Sequence, residues 1–172
     1  MTAALGPGRP FTGSERQLLE NTLQLQRSEL LAAVSSLSDA QARCRLVSSK
    51  TTPISLVKHC AAAERIWFQR TLAGWSVGEC TGQAVGGDAS FVVGNHETLT
   101  DVIGEYRAAC ATSDDIAAQH TLDDTARHTL VGAVSLRFIC LGLIAEIARH
   151  AGHADILVEQ ILDAAQPDAR PV

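Results

Sequence analysis

Apolar side chains recur at steps of three and four through most of this chain, the spacing that turns one face of a helix away from water. The longest series is Leu136, Ile139, Leu143, Ile147, His150, Ala154, Leu157 and Ile161. It predicts a helix capped by Ser135 and continuing to about Ala164, whose buried seam is interrupted by one imidazole. Leu19, Leu23, Leu30 and Val34 form a similar seam on a first helix, opened by the capping-box spacing of Thr12 to Glu15 and ending near Ser36. Thr52 before Pro53 starts a second helix running to about Ala73, with Leu56, His59, Cys60, Ala63 and Trp67 inward. A third spans Glu97 to Ala118 on Leu99, Val102, Ile103, Tyr106 and Cys110.

No stretch alternates as a strand does, so the expected fold is all-α, an antiparallel four-helix bundle with long connections. Ser38 to Gln41 adds a short helical turn to the first of these. Between Gly74 and Asn95, glycines at 74, 78, 82, 86, 87 and 94 remove any helical period, and a loop of that length is either functional or mobile. The segment from Thr121 to Gly132 is polar and reads as a connection. The expected organisation is a loose arm over residues 1–11, one bundle domain over 12–165 and a tail over 166–172.

Composition narrows the partners. A formal charge of −5 and no run of lysine or arginine argue against nucleic acid or an anionic membrane, although a local basic pocket would escape such a count. The five cysteines are widely spaced with no Cys-x-x-Cys, unlike a disulfide framework or a thiolate zinc site. The phosphate-cradling glycine motifs and the Gly-x-Ser-x-Gly elbow are missing as well. There is no apolar leader and no uncharged span approaching ~18 residues, so the expectation is a soluble cytoplasmic protein.

What remains is the segment Glu146-Ile-Ala-Arg-His-Ala-Gly-His-Ala-Asp155. At about 100° per residue, Glu146 lies within about 40° of His150 and about 20° of His153, so all three share one face. His59 occupies the apolar side of the second helix, and two facing helices can gather such groups into a divalent-ion site. Three protein ligands would leave a position for water or substrate, the arrangement of a catalytic centre. A lone histidine on an apolar face is more often a hydrogen-bonded core residue, Glu146 could pair with Arg149, and His153 could be a surface residue. Spacing leaves Glu146 and His153 as alternative partners of His150.

The stretch Leu56-Val-Lys-His59-Cys-Ala-Ala-Ala-Glu64-Arg65-Ile-Trp67-Phe68, followed far downstream by Glu146 to Asp155, resembles the DinB-like metal-binding bundles over nearly the whole chain. More narrowly it resembles their actinobacterial branch, related to the N-terminal domain of mycothiol-dependent maleylpyruvate isomerase. The resemblance implies a bundle holding zinc, or nickel, iron or manganese in its place, on His59, Glu146 and His150. It further implies a thiol cofactor, mycothiol or bacillithiol, whose sulfur is activated at the open position to attack an electrophilic small molecule. The isomerase has a further C-terminal domain and this chain ends at Val172, so fold and metal site are expected to transfer ahead of isomerase activity. The expected function is therefore a mycothiol-dependent transferase acting on a small electrophile. A metal-dependent hydrolase is the alternative enzyme, and a non-catalytic metal-binding bundle, a homodimer through its exposed apolar residues, is the alternative from another class.

Overall fold

The computed structural model describes residues 12–165; the arm and tail expected at 1–11 and 166–172 lie outside them. Helix α1 is Glu15–Val34, α2 is the single turn Asp39–Ala42, α3 is Pro53–Glu64, α4 is Leu99–Ala117 and α5 is Leu136–Ala164. Helix α1 packs on α5, while α3 packs on both α4 and α5, giving the expected all-α bundle of four long helices. All eight residues of the α5 seam are buried, His150 among them. The cap of α1 differs from expectation. Ser14, not Thr12, is the N-cap, and its box is closed by Gln17. The amide of Gln17 reaches the cap backbone as Glu would, a substitution the box allows.

Helix α3 is buried on nearly every side, so its sequence shows little amphipathic contrast. Without a break it continues as a π-helical segment, Arg65–Leu72, in which the Thr71 hydroxyl donates to the carbonyl of Ile66 at 2.8 Å. Such widened turns are rare and occur often at functional sites. Here the segment anchors the glycine-rich loop. Buried Gln69 donates to the Thr81 hydroxyl at 2.8 Å and accepts from the Thr81 amide at 2.9 Å, and Arg70 donates to the Ala84 carbonyl at 3.0 Å. Within the loop, Gly87–Phe91 forms a 3-10 turn that packs against α3.

The connection expected between Thr121 and Gly132 is corrected to a β-hairpin. Strand β1, Thr125–His128, pairs antiparallel with β2, Gly132–Ser135, from Thr125 opposite Ser135 to His128 opposite Gly132. Each strand has four residues, too few for alternation to register in the sequence. Gly132 takes a φ of 83°, which an L side chain would resist, and closes the turn. The hairpin leads directly into α5 and rests on the π-helical segment.

The core also holds charge. Arg27 sits in the α1 seam between Leu23 and Leu30, and its guanidinium makes two bonds to the Glu64 carboxylate of α3, at 2.8 and 2.7 Å. Its third nitrogen reaches Asp114 of α4 at 2.7 Å. Burial alone would push the Arg27 proton off, but the Glu64 carboxylate outweighs it and holds the group well above its ordinary pKa.

Candidate metal centre

His59 comes from α3, near the middle of a helix fixed by the Thr52 cap with Pro53 at its first turn. Glu146 and His150 come from successive turns of α5, which α3 faces. The three side chains converge. His59 Nε2 lies 3.0 Å and His150 Nε2 3.1 Å from the same atom, Glu146 Oε1. Among the described residues they form a potential ligand set whose donor atoms lie within 4.8 Å of one another. His153, the other candidate of the same helix face, is exposed and stands outside the set, its ring centroid 5.6 Å from that of His150.

The hydrogen bonding defines what this cluster can accept. Ser90 of the glycine-rich loop donates its only hydroxyl proton to the Gly87 carbonyl at 2.6 Å. Its oxygen must then accept from His59 Nδ1, 2.7 Å away. That assigns the proton of a neutral His59 to Nδ1 and leaves Nε2 as a bare lone pair facing the Glu146 carboxylate. Two lone pairs at that separation repel unless a proton or a cation lies between them. A divalent ion satisfies the arrangement, and Ser90 supplies the outer hydrogen bond that orients metal-binding imidazoles. His150 Nδ1 is buried with no hydrogen-bond partner, so its ring is held by packing instead. His59 is also held by Phe91, stacked on it with centroids 4.2 Å apart and planes 13° from parallel.

Protonation favours the same chemistry. Burial would raise the Glu146 pKa, but with the rings protonated the His59 hydrogen bond and the nearby His150 charge outweigh it and hold the carboxyl below its usual range, hence ionised; a cation between neutral rings would supply the same positive charge. Burial, then the neighbouring His59 charge, push His150 below its ordinary value against the pull of Glu146, so its imidazole is neutral near pH 7.

A cleft of about 300 Å³ opens onto His59 and Glu146. Ala63, Ile66 and Trp67 form one wall, Phe138, Ile139 and Gly142 of α5 another, and Val85 and Gly86 of the loop the rim. Trp67, expected inward on the second helix, is in that wall. Ser90 and Phe91 were invisible to sequence reasoning, since nothing in a glycine-rich loop says which of its side chains meets a distant imidazole. The cysteines stay outside the chemistry: Cys60 is fully buried, and burial with the Glu146 and Glu64 charges pushes its thiol well up.

Fold and cluster together define a helical bundle that gathers two imidazoles and a carboxylate and presents one imidazole, His59, and the carboxylate of Glu146 to an apolar cleft. The family model described as Mycothiol-S-transferase matches residues 18–163, from α1 to the end of α5 and across all three cluster residues; the chain belongs to this DinB-like family. No curated protein and no solved structure matches it.

Proposed function

We propose that this protein is a metal-dependent mycothiol S-transferase, in which His59, Glu146 and His150 hold a divalent ion, zinc in the first instance. The observation that carries the reading is the convergence of these three side chains, two of which, His59 and Glu146, line an apolar cleft. The same donors accept nickel, iron or manganese. A divalent ion would supply the positive charge that lowers the pKa of a thiol brought beside it. In the net reaction the thiol S–H bond and one bond to an electrophilic carbon of the second substrate, to a leaving group or a π bond, break; sulfur bonds to that carbon and the proton ends on the group or atom that receives the displaced electron pair. Glu146 stays ionised to balance the ion's charge, Ser90 holds His59 in the tautomer that presents Nε2, and Ile66, Trp67 and Phe138 keep bulk water from the thiolate. The fold brings these groups together over residues 12–165, which we take as one domain. Five free cysteines, none paired, suit the reducing cytoplasm where we place it.

The test is metal analysis of the purified protein, with mycothiol titrated into a cobalt-substituted sample. A near-stoichiometric ion and a thiolate-to-cobalt absorption band support the reading. Turnover of an electrophile that runs equally without mycothiol would replace it with the hydrolase. Ser90→Ala leaves all three donors in place but frees the His59 ring, and is expected to weaken metal binding about 10- to 100-fold in a competitive chelator titration, with Ser90→Thr restoring most of it.

A further inference from the structure

Behind the cleft lies a smaller crevice of about 100 Å³, walled by Ile66, Arg70, Thr71, Trp75, Arg127 and His128, with Thr129 at its edge. The two spaces are neighbours. Ile66 belongs to both walls, and Trp67 of the cleft stacks on His128 of the crevice, with centroids 4.6 Å apart and planes 20° from parallel. We propose that this crevice is an oxyanion subsite of the cleft, one that seats the carboxylate of an aromatic or otherwise apolar substrate.

Charge is the first support. In a chain of formal charge −5, this crevice is lined by two guanidinium side chains and no carboxylate. Among the described residues, neither Arg70 nor Arg127 has a carboxylate within ion-pair distance; Arg43, Arg45 and Arg107 share that state, but only Arg70 and Arg127 line this crevice, whereas Arg16, Arg27, Arg65, Arg137 and Arg149 are each paired. This is the local basic pocket that a whole-chain charge count cannot detect. Arg70 is held in place by its bond to the Ala84 carbonyl through one nitrogen, at 3.0 Å, which leaves its other donors for a ligand. His128 Nδ1 accepts from the Leu130 amide at 3.2 Å, so even a neutral ring carries its proton on Nε2 and remains a donor.

Size and composition specify the ligand class. About 100 Å³ is too small for a whole ligand, for which pockets of roughly 300–1,000 Å³ are usual, but it is ample for a headgroup. Guanidinium groups match planar oxyanions in geometry as well as charge. The adjoining cleft is walled by Trp67, Phe138, Ile66 and Ile139, which suits a flat apolar body. A ligand spanning both spaces thus carries an apolar body in the cleft and an oxyanion in the crevice. As a statement about substrate this rests on the transferase reading; as a statement about binding it does not.

The chain's two tryptophans, Trp67 and Trp75, line the cleft and the crevice, so tryptophan fluorescence, excited at wavelengths that tyrosine does not absorb, reports on this region alone. Benzoate and its uncharged isostere benzamide are titrated at constant ionic strength into the metal-loaded protein, the chelator-treated protein and Arg127→Gln. Arg127 is exposed and makes no ion pair among the described residues, so its variant is expected to fold and to keep its metal. Benzoate should bind at least about tenfold more tightly than benzamide, with and without metal, and Arg127→Gln should remove most of that preference. Equal binding of the two probes, or a preference untouched by Arg127→Gln, overturns the proposal. A preference that disappears on metal removal overturns it too, because the carboxylate would then be reading the ion. Failure of the transferase reading shows separately, as absent metal or absent mycothiol dependence with the benzoate preference intact.

Discussion

His150→Ala is expected to lose its metal ion altogether, with at least about a tenfold fall in bound metal per chain after dialysis. His150 is buried in the α5 seam, and no other imidazole can replace it: His153 is exposed and outside the donor cluster, despite sharing the helix face. His59→Ala should behave alike, because it removes the only donor that α3 contributes. Elemental analysis of each variant beside the parent protein gives the result, and far-UV circular dichroism shows that the bundle is retained. Unchanged stoichiometric metal in His150→Ala would dismiss the site, and the three residues would return to being a buried polar network. His153→Ala is the internal control. It should hold metal as the parent does, since spacing alone placed it level with Glu146 and only the three-dimensional arrangement separates them.

That last pair shows where sequence reasoning stops. The α5 seam was legible residue by residue because a long helix with one buried face repeats the same spacing over many turns. Helix α3 was legible at its start, through Thr52 and Pro53, but not in its faces: a helix surrounded on nearly all sides has no polar face to set the phase. The π-helical segment and the hairpin went unread for related reasons. The first replaces helical spacing by a wider one only within Arg65–Leu72, and the second is made of strands too short to show alternation. His59, Glu146 and His150 could be nominated because each sits on a regular helix. Ser90, Phe91, Arg70 and Arg127 could not, because side chains of the loop, the hairpin and the π-helical segment come to the cluster and the crevice through tertiary contacts that regular helical spacing does not encode.

The largest stability effect is expected at Glu64. Its carboxylate is fully buried and meets the Arg27 guanidinium through two bonds, so Glu64→Gln keeps the shape while stranding a buried cation. Breaking such a pair from one side costs about 3–5 kcal/mol, which for a domain of this size lowers Tm by roughly 6–20 °C. Asp114, the outer partner, is half exposed, and Asp114→Asn should cost no more than about 1 kcal/mol. Replacing both buried partners, Arg27→Met with Glu64→Leu, should recover most of the loss, because two desolvated charges leave together. Thermal and urea melts of the four proteins decide it: a Glu64→Gln variant within about 0.5 kcal/mol of the parent would mean that Asp114 alone satisfies Arg27. The pair bears on the metal centre as well. Glu64 lies on the same helix as His59 and ties it to α1 and, through Arg27 and Asp114, to α4. Loosening α3 at Glu64 should therefore weaken metal binding without abolishing it, and the double replacement, which repacks α3 with apolar groups, should bring the affinity back.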